Sequence, residues 1–473
     1  MRHFLFAALL GAVSLDALAA GPPEKVVPVA DRSRLALTIY NNDLALVRDR
    51  RRVALPKGES ALAFEGVAAH LIPETAFLAP VDGEAGMAVL DQAFDAKLIS
   101  PPALLEASLG REVGLIQTHP ATGQETVVRA RVLAVAGGLV LQMPDGKLRT
   151  GDPAALLFDG LPPGLRAQPT LVSRIDAAAA AARDIELRYL TGGIKWRADY
   201  QAEIAPSGDR LVLEAWATMT NASGADLPEA AVKLVAGEVA RGPQAPPQPR
   251  LMSKAAMAEG AVTDGVSEES LSGYHLYTIA RPVTLLDGQT RQVSLLAAPA
   301  VKAKLERVSE GTPYVYRDSA RGDRDDHAAL SLVFDNGERD GLGLPLPAGT
   351  LRLYRRDAAQ DLQFVGADRL GHTAKGETVR LRVGKDSDLP VRRLQTEFNR
   401  VADRLAESAY RITATNGGKE AVEVRIAEPI PGDWQMLEES HPHRKASAGR
   451  AEWVLAIPPG GKIELAYRVR VRM

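Results

Sequence analysis

The final run of the chain constrains its fold most. From Lys462 to Arg472, Ile463, Leu465, Tyr467, Val469 and Val471 fall on one face, with Lys462, Glu464, Arg468, Arg470 and Arg472 on the other. Side chains alternate across a strand with period two, so such a run buries one face and wets the other. The same period recurs upstream. Leu35, Leu37 and Ile39 alternate with Ala36, Thr38 and Tyr40, and Asn41-Asn42-Asp43 turns. Leu44 to Leu55 continues with Arg48, Arg50 and Arg52 on one face; Pro56-Lys57-Gly58-Glu59 turns again and Ala61 to Phe64 returns, which reads as a meander. Leu211, Leu213, Ala215, Ala217 and Met219 share a face before Asn221-Ala222-Ser223-Gly224; Ala230, Val232, Leu234 and Ala236 share one after it. That pattern predicts a long hairpin. Tyr410, Ile412 and Ala414, the turn Asn416 to Glu420, and Val422, Val424 and Ile426 repeat it. The fold class is mainly β: antiparallel β-sandwich domains plus a small β-barrel-like module, with few short helices.

A chain of 473 residues exceeds one core, and about three domains is the expectation. The turn clusters place an N-terminal β-meander over 31–90 and the barrel-like module over 100–165. The latter opens with a short helix after Ser100-Pro101-Pro102. A central sandwich spans 170–310 and a C-terminal sandwich region 326–473. Within the central part, six alanines from Ala177 to Ala182 suggest a small connection, helical by propensity, between two hairpin strands. Residues 242–272 are Pro-, Ala-, Met-, Gly- and Ser-rich without a period, and read as a disordered insertion.

Residues 1–19 read as a signal peptide. Arg2 and His3 form a basic start, Phe4 to Val13 is an apolar run too short to span a bilayer, and Ala17-Leu18-Ala19 offers a small-x-small cleavage site. The expected location is periplasmic or secreted, with no membrane span in the mature chain. Absence of cysteine excludes thiol catalysis and zinc-thiolate sites. A net charge of -2 argues against nucleic acid as a partner. The row Arg48, Arg50, Arg52 reads either as a polyanion site or, more commonly for such rows, as a solvated strand face.

The densest stretch is Tyr189 to Ile204. Gly192-Gly193 interrupts a strand, and Trp196, Ala198 and Tyr200 then face away from Lys195, Arg197, Asp199 and Gln201. Trp196 and Tyr200 are expected as core anchors, and Arg197 with Asp199 as a partly exposed pair on the other face. These four residues and Trp434 are the candidate binding residues; no catalytic residue is assigned. His441 and His443 would point the same way on an extended segment and share a metal, with Glu438-Glu439 nearby; a surface loop is the commoner reading. Cofactors are expected to be none. No nucleophile elbow, zinc-protease or phosphate-loop motif is present.

Several strings in order carry a resemblance: YLTGGIKWRADY, MTNASGADLPEAAVKLVAGEV (Met219 to Val239), GLGLPLPAGTLRLY (Gly341 to Tyr354), LQFVGADRLGHTAKGETVRLRVG (Leu362 to Gly384), and the segments around Trp434 and Trp453. Together they resemble the domain of unknown function 4139, which also forms the C-terminal part of mucoidy-inhibitor proteins. The resemblance covers about Thr170 to Met473, and YNNDLALVRD (Tyr40 to Asp49) is similar to the start of such proteins. The chain lacks their coiled coil. The resemblance implies a β-rich envelope protein and brings no catalytic residue. The expected function is that of an exported, non-catalytic envelope scaffold binding a protein or glycan partner; the alternative is a hydrolase of envelope polysaccharide or peptide.

Overall fold

A computed structural model describes residues 23–472, apart from 84–85, 120, 152–154, 163, 238–261, 264–265, 272–273, 317 and 320–323. The expected signal peptide and most of the expected insertion lie outside the described residues. The fold is mainly β, with one short α-helix, Pro101–Ala107, among the described residues. No helix there is long and apolar enough to cross a membrane. The chain forms two compact units. One takes in the described residues up to Lys195 with Thr220–Lys233 and Arg281–Thr290; the other takes in Trp196–Met219, Leu234–Ala280 and Arg291 onward. Residues 170–310, expected as one sandwich, contribute to both.

In the first unit, Arg32–Tyr40, Leu44–Leu55, Ala181–Thr191 and Phe77–Pro80 pair antiparallel in that order. A second sheet orders Glu24–Val27, Gly58–Glu65, Thr170–Ala177 and Met87–Asp95. The N-terminal run is therefore not a simple meander. The chain changes sheets between Leu55 and Gly58, and Gly58–Glu65 pairs with Glu24–Val27 and Thr170–Ala177 instead of returning along its predecessor. The alanine connection is likewise a switch. Thr170–Ala177 and Ala181–Thr191 belong to different sheets, and Ala181 and Ala182 are already strand, because each run finds its ladder partners elsewhere. Arg48 and Arg50 pair with Glu186, and Arg52 with Asp184, on the neighbouring strand. The arginine row is thus neutralised across the ladder. The 100–165 module is a five-stranded antiparallel sheet around its own core of Leu105, Val113, Leu115, Val132, Leu139 and Leu141. Ser100 caps its helix, accepting from Ala103 N–H at 3.2 Å.

In the second unit a long sheet runs Leu362–Leu370, Gly349–Arg356, Ile194–Ile204, Arg210–Asn221, Thr290–Glu310, Arg324–Asp335, Thr378–Ala402, Leu405–Thr415, Lys462–Arg472 and Asp433–Glu439. Val422–Pro429 and Arg450–Ile457 branch from Thr290–Glu310 and face the C-terminal strands across a core that includes Ile412, Ile426, Trp453, Leu465, Tyr467 and Val469. Leu405–Thr415 and Val422–Pro429 do not pair, so the expected second hairpin is an arch between layers. Arg210–Asn221 and Leu227–Ala236 also lie in different sheets, so the first expected hairpin is an arch too.

Both arches turn on a buried asparagine. Asn221 Nδ2 donates to the carbonyls of Ala225 and Leu285, and its Oδ1 accepts from Ser223 N–H. Asn416 Nδ2 donates to Glu420, Ile457 and Pro458, and its Oδ1 accepts from Gly418 N–H. Asn336 does the same after Arg324–Asp335, donating to Leu344 and Ala374. An amide fixed this way satisfies carbonyls that a hairpin ladder would otherwise hold. Finally, Val262–Thr263 and Val266–Leu271, inside the stretch expected as a linker, form antiparallel strands that lead to Tyr274–Ile279.

Candidate functional site

Ile194–Ile204 begins at a turn that only glycine allows. Gly193 has φ of 78°, and a Cβ there would sit 2.5 Å from the carbonyl oxygen of Ala222. From that turn the strand alternates as its sequence requires. Ile194, Trp196, Ala198, Tyr200, Ala202 and Ile204 are all buried. Trp196 donates its indole N–H to the Val235 carbonyl at 3.0 Å and meets the Tyr277 ring edge-on at 6.2 Å. Tyr200 donates its hydroxyl to the Pro347 carbonyl at 2.7 Å, and burial pushes its phenol well above the usual range. Both are core anchors.

The opposite face carries Arg197 and Asp199, and here the expectation needs correcting. Asp199 is only 6% exposed. Its Oδ2 accepts from Thr218 Oγ1 at 2.6 Å and from Arg197 Nε at 3.0 Å, and its Oδ1 from Arg352 Nη1 at 3.0 Å. The two arginine side chains are 62% and 40% exposed. A buried carboxylate therefore holds two guanidinium groups that remain open to solvent. Burial opposes ionisation of Asp199, but Thr218 and the two arginines outweigh it and hold the carboxyl below its ordinary value. Gln292 donates to Thr218 Oγ1 at 3.0 Å and extends the network.

Three neighbouring strands complete this face. On Arg210–Asn221, Leu211, Leu213, Ala215, Ala217 and Met219 are buried, which leaves Val212, Glu214 and Trp216 with Thr218 on the other side. The Thr218–Asp199 bond puts that side on the Asp199 face. Gly349–Arg356 runs parallel on the other flank, burying Leu351 and Leu353 and leaving Arg352 and Tyr354 outward. Tyr354 meets the exposed Phe364 of the next strand edge-on at 5.7 Å. Trp216, the Arg197–Asp199–Arg352 fork and the Tyr354–Phe364 pair thus cross four strands, a width of roughly 14 Å at the usual strand spacing.

Trp216 stands apart from the other three tryptophans. Trp196, Trp434 and Trp453 each donate the indole N–H to a main-chain carbonyl. Trp216 is half-buried, and its indole N–H has no acceptor among the described residues. A buried tryptophan finds a partner for that proton; one at a binding surface leaves it for a ligand. Alternation along Arg210–Asn221 alone marks Trp216 as outward. Arg352, 153 positions beyond Asp199, has no local signal at all.

The remaining candidates lie elsewhere. Trp434 is buried in the C-terminal core, bonded to the Ala448 carbonyl at 2.7 Å, with Lys445 Nζ 4.6 Å from its ring centroid. His441 and His443 do not converge. His441 Nδ1 lies 2.9 Å from Ser440 Oγ, whereas His443 Nδ1 lies 2.9 Å from Glu439 Oε2, because the segment between the strands is bent and not extended. Among the described residues no group of three or more histidine or carboxylate side chains is placed to hold a metal.

Compared with known families, residues 185–473 match the model of a domain of unknown function, DUF4139. No curated protein matches the chain.

Proposed function

The chain belongs to the DUF4139 family, and from that premise we propose that it is an exported, non-catalytic scaffold of the cell envelope whose Trp216–Arg197–Arg352 face binds a glycan or protein partner. Trp216 carries the reading. Its unpaired indole beside two solvent-open guanidinium groups offers a stacking surface next to forked donors, the combination that takes a sugar ring or an extended chain with acidic groups. Asp199 serves this face by positioning. Its ionised carboxylate has no proton to give at neutral pH, which argues against its use as the acid of a hydrolase.

An array of neutral and acidic oligosaccharides and envelope-protein fragments, probed with the full mature chain, tests the proposal. Wild type should be retained on at least one class, and Trp216→Ala should lose at least tenfold in affinity with its melting temperature unchanged. Equal retention of the variant would remove this face from function. Export is tested separately by mass spectrometry of protein from its native envelope. The chain should start near Ala20, and recovery of intact Met1 would contradict export.

A further inference from the structure

Away from that face, the second unit holds a cleft of about 610 Å³ whose origin is legible in the strand register. Five adjacent strands contribute, Arg450–Ile457, Val422–Pro429, Thr290–Glu310, Arg324–Asp335 and Thr378–Ala402, and Asp368 of Leu362–Leu370 joins them. In the middle, Val308 lies across from Ala329, and Ser331 continues the Ala329 strand. At the flanks, Arg425 lies across from Val308, and Arg382 across from Ser331. Short side chains on the central strands between long ones on the outer strands leave a trough walled by arginine.

The charges in this trough are unevenly used. Glu452 accepts from Arg450 at 2.8 Å, from Arg444 at 2.5 Å and from Arg425 at 3.4 Å, and Glu310 takes Arg450 at 2.9 Å. Asp326 is held by Lys385 at 2.6 Å. Asp368 accepts the main-chain N–H groups of Arg369 and Arg382. Every lining carboxylate is therefore engaged. Among the described residues the Arg382 guanidinium has no hydrogen bond or ion pair, and the Arg324 guanidinium donates only to the Thr312 hydroxyl. What the cleft has left to offer is guanidinium donors, with the Ser331 hydroxyl across the ladder from Arg382.

We propose that this cleft is a second binding site, independent of the Trp216 face, which takes an oxyanion. The carboxylate or phosphate of a small polar ligand bonds the Arg382 fork through two parallel N–H groups. Calorimetry on the full chain with galacturonate, inorganic phosphate and neutral galactose tests it. At least one of the two anions should bind saturably, and galactose should not; galacturonate alone would mark the source as an acidic sugar, phosphate alone as a phosphoryl group. The titrations are made in a Trp216→Ala background, so that sugar taken up by the Trp216 face does not contribute; there Arg382→Ala should weaken the binding at least tenfold and Arg382→Lys should restore part of it. Arg382 is exposed, so melting of the variant should match wild type. Absence of anion binding in the Trp216→Ala background, equal binding of galactose there, or undiminished affinity when Arg382→Ala is added would each overturn the proposal.

Discussion

Asp49 and Asp199 each gather two arginines, to opposite effect. Each shares a strand with an arginine two positions away, Arg51 and Arg197, and each draws a second arginine from another strand, Arg32 and Arg352. Asp49 and Arg51 sit on the inward face between Val47 and Val53. There Arg32 grips both carboxylate oxygens at 2.9 Å, while Arg51 also bonds the Val27 carbonyl at 2.6 Å and lies 5.3 Å from the Phe64 ring centroid. All three side chains are buried, and every bond they make lies inside the unit, with Arg32 Nη1 alone left without a partner among the described residues of this cluster. Asp199 sits on the outward face, so its arginines are oriented and still wet. One cluster locks a core; the other displays donors. The face of the strand decides which, and one residue of slip would exchange the two roles.

Three experiments bear on this contrast. The largest effect is expected at the closed cluster. Asp49→Ala leaves Arg32 and Arg51 buried without a counter-charge and should cost about 3–5 kcal/mol in denaturant unfolding. A loss below about 1 kcal/mol would mean that water reaches the cluster and that the two sites do not differ in kind. Acid should give an intermediate effect. Burial raises both carboxyl values, but the arginines, with Thr218 at Asp199, bring each below its ordinary value. A group lowered on folding contributes stability that is complete above its unfolded value, near pH 4, and is lost as pH falls through the lower folded value. The melting temperature of wild type should therefore drop below about pH 4, and that of Asp49→Asn should drop less steeply. Parallel curves would remove Asp49 as a source of acid sensitivity. The smallest effect is expected at the open cluster. In Asp199→Asn both arginines stay hydrated and the amide keeps a bond to Thr218, so about 1 kcal/mol is expected. A loss equal to that of Asp49→Ala would erase the distinction.

Much of this architecture was readable from alternation. It placed Trp196 and Tyr200 inward and the final strand with Leu465 and Tyr467 in the core, as found. It did not reveal strand partners. A hairpin and an arch carry the same inward-outward pattern and the same turn residues, so the runs around Asn221 and Asn416 read as hairpins. What separates them is an amide that collects carbonyls from distant segments, such as Leu285 and Ile457. Asn221-Ala222-Ser223 also has the Asn-x-Ser form of a glycosylation acceptor, yet the asparagine side chain is fully buried and bonded. Burial of Asp199 was hidden for a related reason. Its neighbours in sequence supply one arginine, and the second comes from far along the chain. Arg51 puts a charge on the face that alternation marks as core, and Asp49 and the distant Val27 carbonyl accommodate it there.

The parallel ladder between Ile194–Ile204 and Gly349–Arg356 has a temporal consequence. Parallel neighbours cannot be joined by a tight turn, and the two partners here are brought together only by closing a loop of some 150 residues. Closure entropy rises slowly with loop length, but non-local pairings of this kind form late and slowly. During synthesis, Arg197 and Asp199 exist well before Arg352 has been made. The nascent strand can pair with Arg210–Asn221 through the short connection that follows it, yet Asp199 then has one arginine and a hydrogen bond from Thr218. The face gains its second guanidinium only when the ladder closes, so the paired donors emerge with the completed unit and not with any intermediate along the way.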